Sequence, residues 1–420
     1  MPDTIATAEE LDRAVRAAVA RTEVADMHTH LYAPAFGDLL LRGVDELLTY
    51  HYLIAEVLRV SPLTYEEYWK LDAAGQAEHI WRELFLERTP CSEACRGVLT
   101  ALRGLGLDPG ARDLAAYREW CAGLTPEKSV DLAFAAARVR EAVMTNDPFD
   151  DRERAVWLSD HAGAVRADPR FRAALRIDPL LLDWERRRPQ LAAWGYEVEG
   201  GGDRAFAEAK RFLVEWGRRM GALYMAVSLP PDFAYPDDSM RTRLLDACVL
   251  PACRELGIPF ALMIGVRRQV NPELRLAGDM SGAADLRALA RLCAKNPHNR
   301  FFATLLAREN QHELAVLARK FRNLMIFGCW WFLNNPTIVG ETTRMRAELL
   351  GTSFIPQHSD ARVLEQVVYK WSHARAVIAD ALCEQYRRVL ATGWRVERAE
   401  IERDVRRLLR DNFWDFVRGA

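Results

Sequence analysis

The chain has 420 residues, half of them apolar and 28% charged, with a formal net charge of −2. That composition excludes a disordered polypeptide, and the charge provides no global basic field for nucleic acid or an anionic membrane. The 8 cysteines are scattered, and Cys91 and Cys95 are the closest pair. No Cys-x-x-Cys pair recurs, so a structural zinc site is not expected, and free thiols point to a reducing, cytoplasmic setting. The segment beginning Met1-Pro2-Asp3 has no basic and apolar leader pattern, and no apolar run is long enough to span a bilayer.

In chain order, residues 8–21 predict an amphipathic helix. Leu11, Val15, Ala18 and Val19 share a face and Thr7 is placed as its N-cap. The apolar run Val24-Ala25-Asp26-Met27 follows as a first strand ending at His28-Thr29-His30. Residues 38–138 are then rich in Leu, Ala, Glu and Arg, with Tyr65, Tyr68, Trp69, Trp81 and Phe85 at helical spacing, and contain no strand pattern. After that, short apolar segments alternate with helical ones. They are Ala142–Thr145, Ala173–Ile177, Leu223–Leu229, Pro259–Val266, Arg300–Leu305, Leu324–Trp331 and Ser353–Pro356. Eight alternating units predict a single α/β domain spanning 1–420, a closed (β/α)8 TIM barrel with a large helical insertion after strand one. A doubly wound sheet would want a Gly-rich phosphate turn after the first strand, and none is present.

The chemistry gathers at strand ends. His28 and His30 are two apart on a strand, so their imidazoles face one side at the barrel's C-terminal mouth. Asp360 follows the last strand and can complete a His-His-Asp site for a divalent metal, zinc or manganese, or serve as a base. An N-cap is the plainer job for that aspartate. His358 lies two residues before Asp360, shares its face, and is a fourth candidate ligand. Arg362 can present its fork to a substrate carboxylate, and Arg176 ends the third strand facing the cavity. Trp330 ends the seventh strand, where it can wall the pocket or pack in the core. His51-Tyr52 lies in the insertion and alone reads as a packed aromatic pair.

This ordered set resembles the uronate isomerase family of the amidohydrolase superfamily. The resemblance is carried by His28-Thr29-His30, His51-Tyr52, Thr145-Asn146-Asp147-Pro148, Arg176, Gly328 to Phe332 and Asp360-Ala361-Arg362. It implies interconversion of an aldohexuronate (D-glucuronate or D-galacturonate) and its 2-keto isomer by proton transfer through an enediol, by a homo-oligomer acting on a small sugar acid. His28, His30 and Asp360 would hold the metal. Arg176 and Arg362 would handle the carboxylate and the enediolate charge, and His51 and Tyr52 ring opening and proton transfer. The chain also departs from the family pattern. Met263 stands where a strand-five histidine is usual, Ala226-Val227-Ser228-Leu229-Pro230 lacks an Asp-His pair, and Leu53-Ile54-Ala55 replaces basic residues. Ala361 stands in place of a serine, a minor change. A metal-dependent hydrolase or an isomerase of another sugar acid is the alternative on the same scaffold, and a non-catalytic binding barrel is a third.

Overall fold

A computed structural model describes residues 4–200 and 202–419, so the leader reading at residues 1–3 lies outside the described residues. The first helix runs Ala8–Arg21, and the Thr7 hydroxyl accepts from the Glu10 N–H at 3.2 Å, as the cap residue predicts.

Seven parallel strands form one sheet in chain order. They are Val24–Thr29, Val139–Asn146, Phe171–Arg176, Met225–Leu229, Phe260–Ile264, Phe301–Leu305 and Leu324–Ile326. The fifth strand reads Phe-Ala-Leu-Met-Ile and is buried throughout. Such unbroken apolarity belongs to a parallel strand covered on both faces, with side chains filling the barrel inside and helices packing outside. The stretch between the first two strands is helical, from Val44–Leu48 and His51–Val57 to Pro126–Ala137, with one β-bridge from Leu41 to Val363. The C-terminal helix Asn412–Arg418 packs its Phe413 and Phe416 against Phe302, with ring centroids 6.0 and 4.8 Å apart. Phe413 also meets the ring of Tyr224, which immediately precedes the fourth strand, so the far end of the barrel is filled.

The eighth predicted strand, Ser353–Pro356, is not a strand. It forms a single parallel bridge, Phe327 to Ile355, and the chain then runs extended to the first strand. The reason is local. Pro356 has no N–H to donate. Gly328 adopts φ +60°, and a Cβ there would run into the His358 ring. The ring is nevertheless closed. On one side Gly328 N–H donates to Ile355 O at 2.8 Å, and Ile355 N–H to Ile326 O at 3.1 Å. On the other, Asp360 N–H donates to His28 O at 3.2 Å, and His30 N–H to Ala361 O at 2.7 Å.

A buried carboxylate fastens that second seam. Asp26, fully buried in the first strand, accepts from Ser359 N–H at 3.0 Å and from the Trp371 indole N–H at 2.8 Å. Burial pushes its carboxyl up to about 6, against the two hydrogen bonds that favour the charged form. Asp26→Ala leaves both N–H groups buried without an acceptor. At about 1–3 kcal/mol for each orphaned group, we expect a loss of roughly 3 kcal/mol in denaturant unfolding. A change below about 0.5 kcal/mol would show that Asp26 does not hold the seam.

Candidate active site

His28 sits inside the first strand and His30 just past its end, and both imidazoles turn toward Asp360 across the seam. His28 Nε2 lies 3.7 Å and His30 Nε2 3.5 Å from Asp360 Oδ1. The three ligand atoms lie within 4.8 Å of one another. Asp360 has φ 55°, a left-handed conformation that aspartate tolerates better than most residues. The backbone strain is located where the carboxylate must turn back onto two histidines.

The hydrogen bonds behind the imidazoles fix their tautomers. Tyr224 OH donates to Met27 O at 2.6 Å, so its oxygen is left to accept from His28 Nδ1 at 3.2 Å. Thr145 Oγ1 donates to Thr29 O at 2.9 Å and accepts from His30 Nδ1 at 2.9 Å. Both hydroxyl protons are committed to carbonyls, so both Nδ1 atoms carry hydrogen and both Nε2 lone pairs face Asp360. His28 Nε2 and Asp360 Oδ1 are buried without a hydrogen-bond partner. Burial, with neighbouring arginine charge, pushes His28 and His30 down to about 3, and burial pushes Asp360 up to about 6 against the nearby positive charges. Two neutral imidazoles, each with a hydrogen-bonded back, and a carboxylate fit a divalent cation. Among the described residues this is the group of His, Cys, Asp and Glu side chains arranged to hold one.

His358 is not in that group. It is fully buried, with its ring 5.4 Å from that of His28 and 5.1 Å from that of Phe327, and both nitrogens lack partners. It packs one layer deeper in the barrel.

A cavity of about 100 Å³ opens above the three ligands. His30, His51, Arg176, Trp330, Asp360 and Arg362 line it, as the sequence places them. Arg176 is held at 3.1 Å by Asp178, whose charge keeps the guanidinium fully protonated. The Arg362 guanidinium forms no ion pair among the described residues. Ser228 and Met263 face the same space side by side on strands four and five, and neither supplies a strong metal donor. Tyr52 lines an adjoining cavity of about 280 Å³ with Glu93 and Lys370, and His51 and Trp331 form the wall between the two. Both nitrogens of His51 are buried and unpartnered, and burial pushes its imidazole down to about 3.

Sequence reasoning missed Tyr50, Arg268 and Trp331 in this wall. Tyr50 directly precedes the His51-Tyr52 pair, and its ring is 4.1 Å from that of His51. Trp331 sits beside Trp330 in the seventh-strand motif. Arg268 lies four residues past the fifth strand, and a charge just beyond a barrel strand's C-terminal end was the available signal. Of the supports, Thr145 belongs to the motif that ends the second strand, while Tyr224 carried no sequence signal.

No protein-family model matches the chain, and no curated protein sequence does. Solved structures do. The crystal structure of a uronate isomerase from Bacillus halodurans C-125 is 53% identical, with 98% of this chain and 97% of that one covered and a TM-score of 0.96. A uronate isomerase from Thermotoga maritima, 14% identical over 95% of each chain, has a TM-score of 0.73. A glucuronate isomerase from Caulobacter crescentus, 16% identical over 96% of this chain and 92% of that one, also has a TM-score of 0.73. The last two show the shared fold.

Metal retention should fall as pH drops through about 6, because a protonated Asp360 stops donating while His28 and His30, near 3, remain neutral. Metal content after dialysis between about pH 8 and about pH 5 checks this. Unchanged metal content in an Asp360→Ala variant would remove Asp360 from the ligand set.

Proposed function

The chain belongs to the uronate isomerase family, and on that premise we propose that it interconverts an aldohexuronate, D-glucuronate or D-galacturonate, and its 2-keto isomer. The observation that carries the reading is one cavity wall. It sets an unpaired guanidinium, Arg362, beside two groups able to take up a proton, Asp360 and His51.

The reaction needs the sugar ring opened, a proton removed from C2 and one delivered to C1, with negative charge held in between. The nitrogens of His51 have no competing partner, so the imidazole can relay the proton leaving the anomeric hydroxyl to the ring oxygen as the ring opens. The Asp360 carboxylate lines the cavity, where it can take a proton from the substrate and return it. Arg362 and Arg176 carry fixed positive charge for the substrate carboxylate and the enediolate. Trp330 lines the cavity as an apolar wall. Tyr52 acts from the neighbouring cavity, its ring 4.4 Å from that of His51.

His28, His30 and Asp360 would hold a divalent metal, and we assign zinc, since imidazole and carboxylate donors suit it. Bound there, it would polarise a substrate oxygen and stabilise developing negative charge. Metal-activated hydrolysis, the alternative on this scaffold, is less well supported. Ser228 and Met263 add no donor to the three, and the relative at 53% identity is a uronate isomerase. A homo-oligomeric, cytoplasmic enzyme completes the reading. Its support is the family and eight cysteines that are all free thiols. Among the described residues no helix is long and apolar enough to cross a membrane.

Incubation with D-glucuronate or D-galacturonate, followed by NMR, should show the 2-keto isomer forming without a second product. His51→Asn should lower kcat/KM by about 100-fold or more, the usual scale for losing a proton-transfer group. Loss of the metal ligands in His28→Ala/His30→Ala should abolish turnover. No ketose from either uronate with metal-loaded wild type would sink the isomerase reading.

A further inference from the structure

Behind the wall between the two cavities lies a buried ammonium, that of Lys370 on the helix Gln366–Ala391. Its side chain is only 4% exposed. Burying a charge this far is costly unless its hydrogens find partners. Nζ donates to Glu93 Oε1 at 3.1 Å and Oε2 at 3.3 Å, and to Asn334 O at 3.0 Å. It also lies 5.3 Å from the centroid of the Tyr52 ring and 4.8 Å from that of Tyr369. Against burial, the Lys370 charge holds the Glu93 carboxyl below its usual range, so the pair is ionised. Glu93 opens the insertion helix Glu93–Gly104, where a negative charge suits the helix dipole.

The partners of this ammonium come from distant parts of the chain and meet around the active site. Tyr52 sits beside His51 in the insertion, their rings 4.4 Å apart. Asn334 follows the turn Trp331–Leu333, and its N–H donates to Trp331 O at 2.9 Å. Trp331 meets His51 from the other side, with ring centroids 5.4 Å apart. Lys370 thus reaches both flanks of His51, whose own nitrogens have no partner to fix the ring. Asn334 also faces the seam. Its Nδ2 donates to His358 O at 3.2 Å and to Ser359 O at 3.0 Å, and its Oδ1 accepts from Gln357 Nε2 at 2.5 Å. Those three residues lead directly into Asp360. One asparagine, through its carbonyl and its side chain, therefore connects the ammonium to the segment that presents the Asp360 carboxylate.

From this we infer that Lys370 is a positioning residue: held by Glu93, it sets Asp360 through Asn334, and His51 through Tyr52 and the Trp331 turn. The role of His51 rests on the isomerase reading of the site, whereas the connection to Asp360 bears on metal binding alone. Lys370 acts on no reacting atom. It supplies a common anchor for one side chain of the insertion and one of the barrel rim. Misplacing a reacting group by about 1 Å is enough to cost rate on the order of 100-fold.

The test compares the full-length, zinc-loaded chain with two variants. Lys370→Met keeps the length of the side chain and removes its hydrogen bonds. Lys370→Met/Glu93→Gln also removes the carboxylate that the first variant strands, so it should fold even where the single variant does not. Turnover of D-glucuronate and D-galacturonate is measured on each, together with zinc release to a chelator in the absence of substrate. Circular dichroism checks the fold. Both variants should lower kcat by about 10- to 100-fold and leave KM within about threefold of wild type, since no substrate contact is lost. Zinc release should be faster by about tenfold or more. An unchanged kcat or an unchanged zinc release in the folded double variant would overturn the inference. So would a kcat lost in the single variant and regained in the double one, which would trace the loss to a stranded charge. Wild type that turns over neither uronate, with zinc release still faster in the variants, would leave the inference standing at Asp360 and sink the isomerase reading alone.

Discussion

Everything at the active site depends on one seam, where the first strand of the barrel meets the extended segment around Asp360. His28 and His30 come from one side and Asp360 from the other, so the three candidate ligands come together as a set only when the seam is shut. Backbone bonds at His28 and His30 and the buried Asp26 carboxylate do the closing. A regular eighth strand would have closed the barrel with a full ladder. Instead Pro356 and the left-handed Asp360 interrupt it, and the fastening falls to a side chain. That arrangement frees the rim of the seam to adopt the turn that points a carboxylate at two imidazoles.

Burial explains most of the electrostatics. Taken out of water, imidazoles lose their proton and carboxylic acids keep theirs. His28, His30 and His51 are therefore neutral at ordinary pH, and Asp360 is brought close to the range where a proton can be exchanged. The arginines behave differently because their charge cannot be removed, and two of them carry their own carboxylate, Asp178 for Arg176 and Asp279 for Arg268. The arrangement separates fixed charge at the walls from adjustable charge at the centre. That is the division a proton-transfer reaction on an anion requires.

Much of this was legible in the sequence because period and order carry it. Strand alternation located eight segments, seven of which are strands, and placed His28, His30 and Asp360 at one mouth. The eighth failed as a strand partly through Pro356, which the sequence shows, and partly through a close approach visible only in three dimensions, that of His358 to Gly328. Asp26 did carry a signal: a charge inside an apolar run must find a buried partner. Its partners Ser359 and Trp371 are far away in sequence, so the pairing could not be read. Tyr224 and Thr145 set the tautomers through hydroxyls whose roles depend on which carbonyl lies behind them. Arg268 had a signal of position rather than period, a charge four residues past the end of the fifth strand.

The seam also orders events in the life of the chain. Asp26 waits for a partner 333 residues downstream, and the Trp371 indole comes later still. On the ribosome the first strand must therefore persist with one edge bare until nearly the whole polypeptide has emerged, the situation in which a growing sheet is most open to wrong pairing. No truncated product that stops short of residue 360 can assemble the ligand set. The three candidate ligands can therefore come together only when synthesis is almost complete.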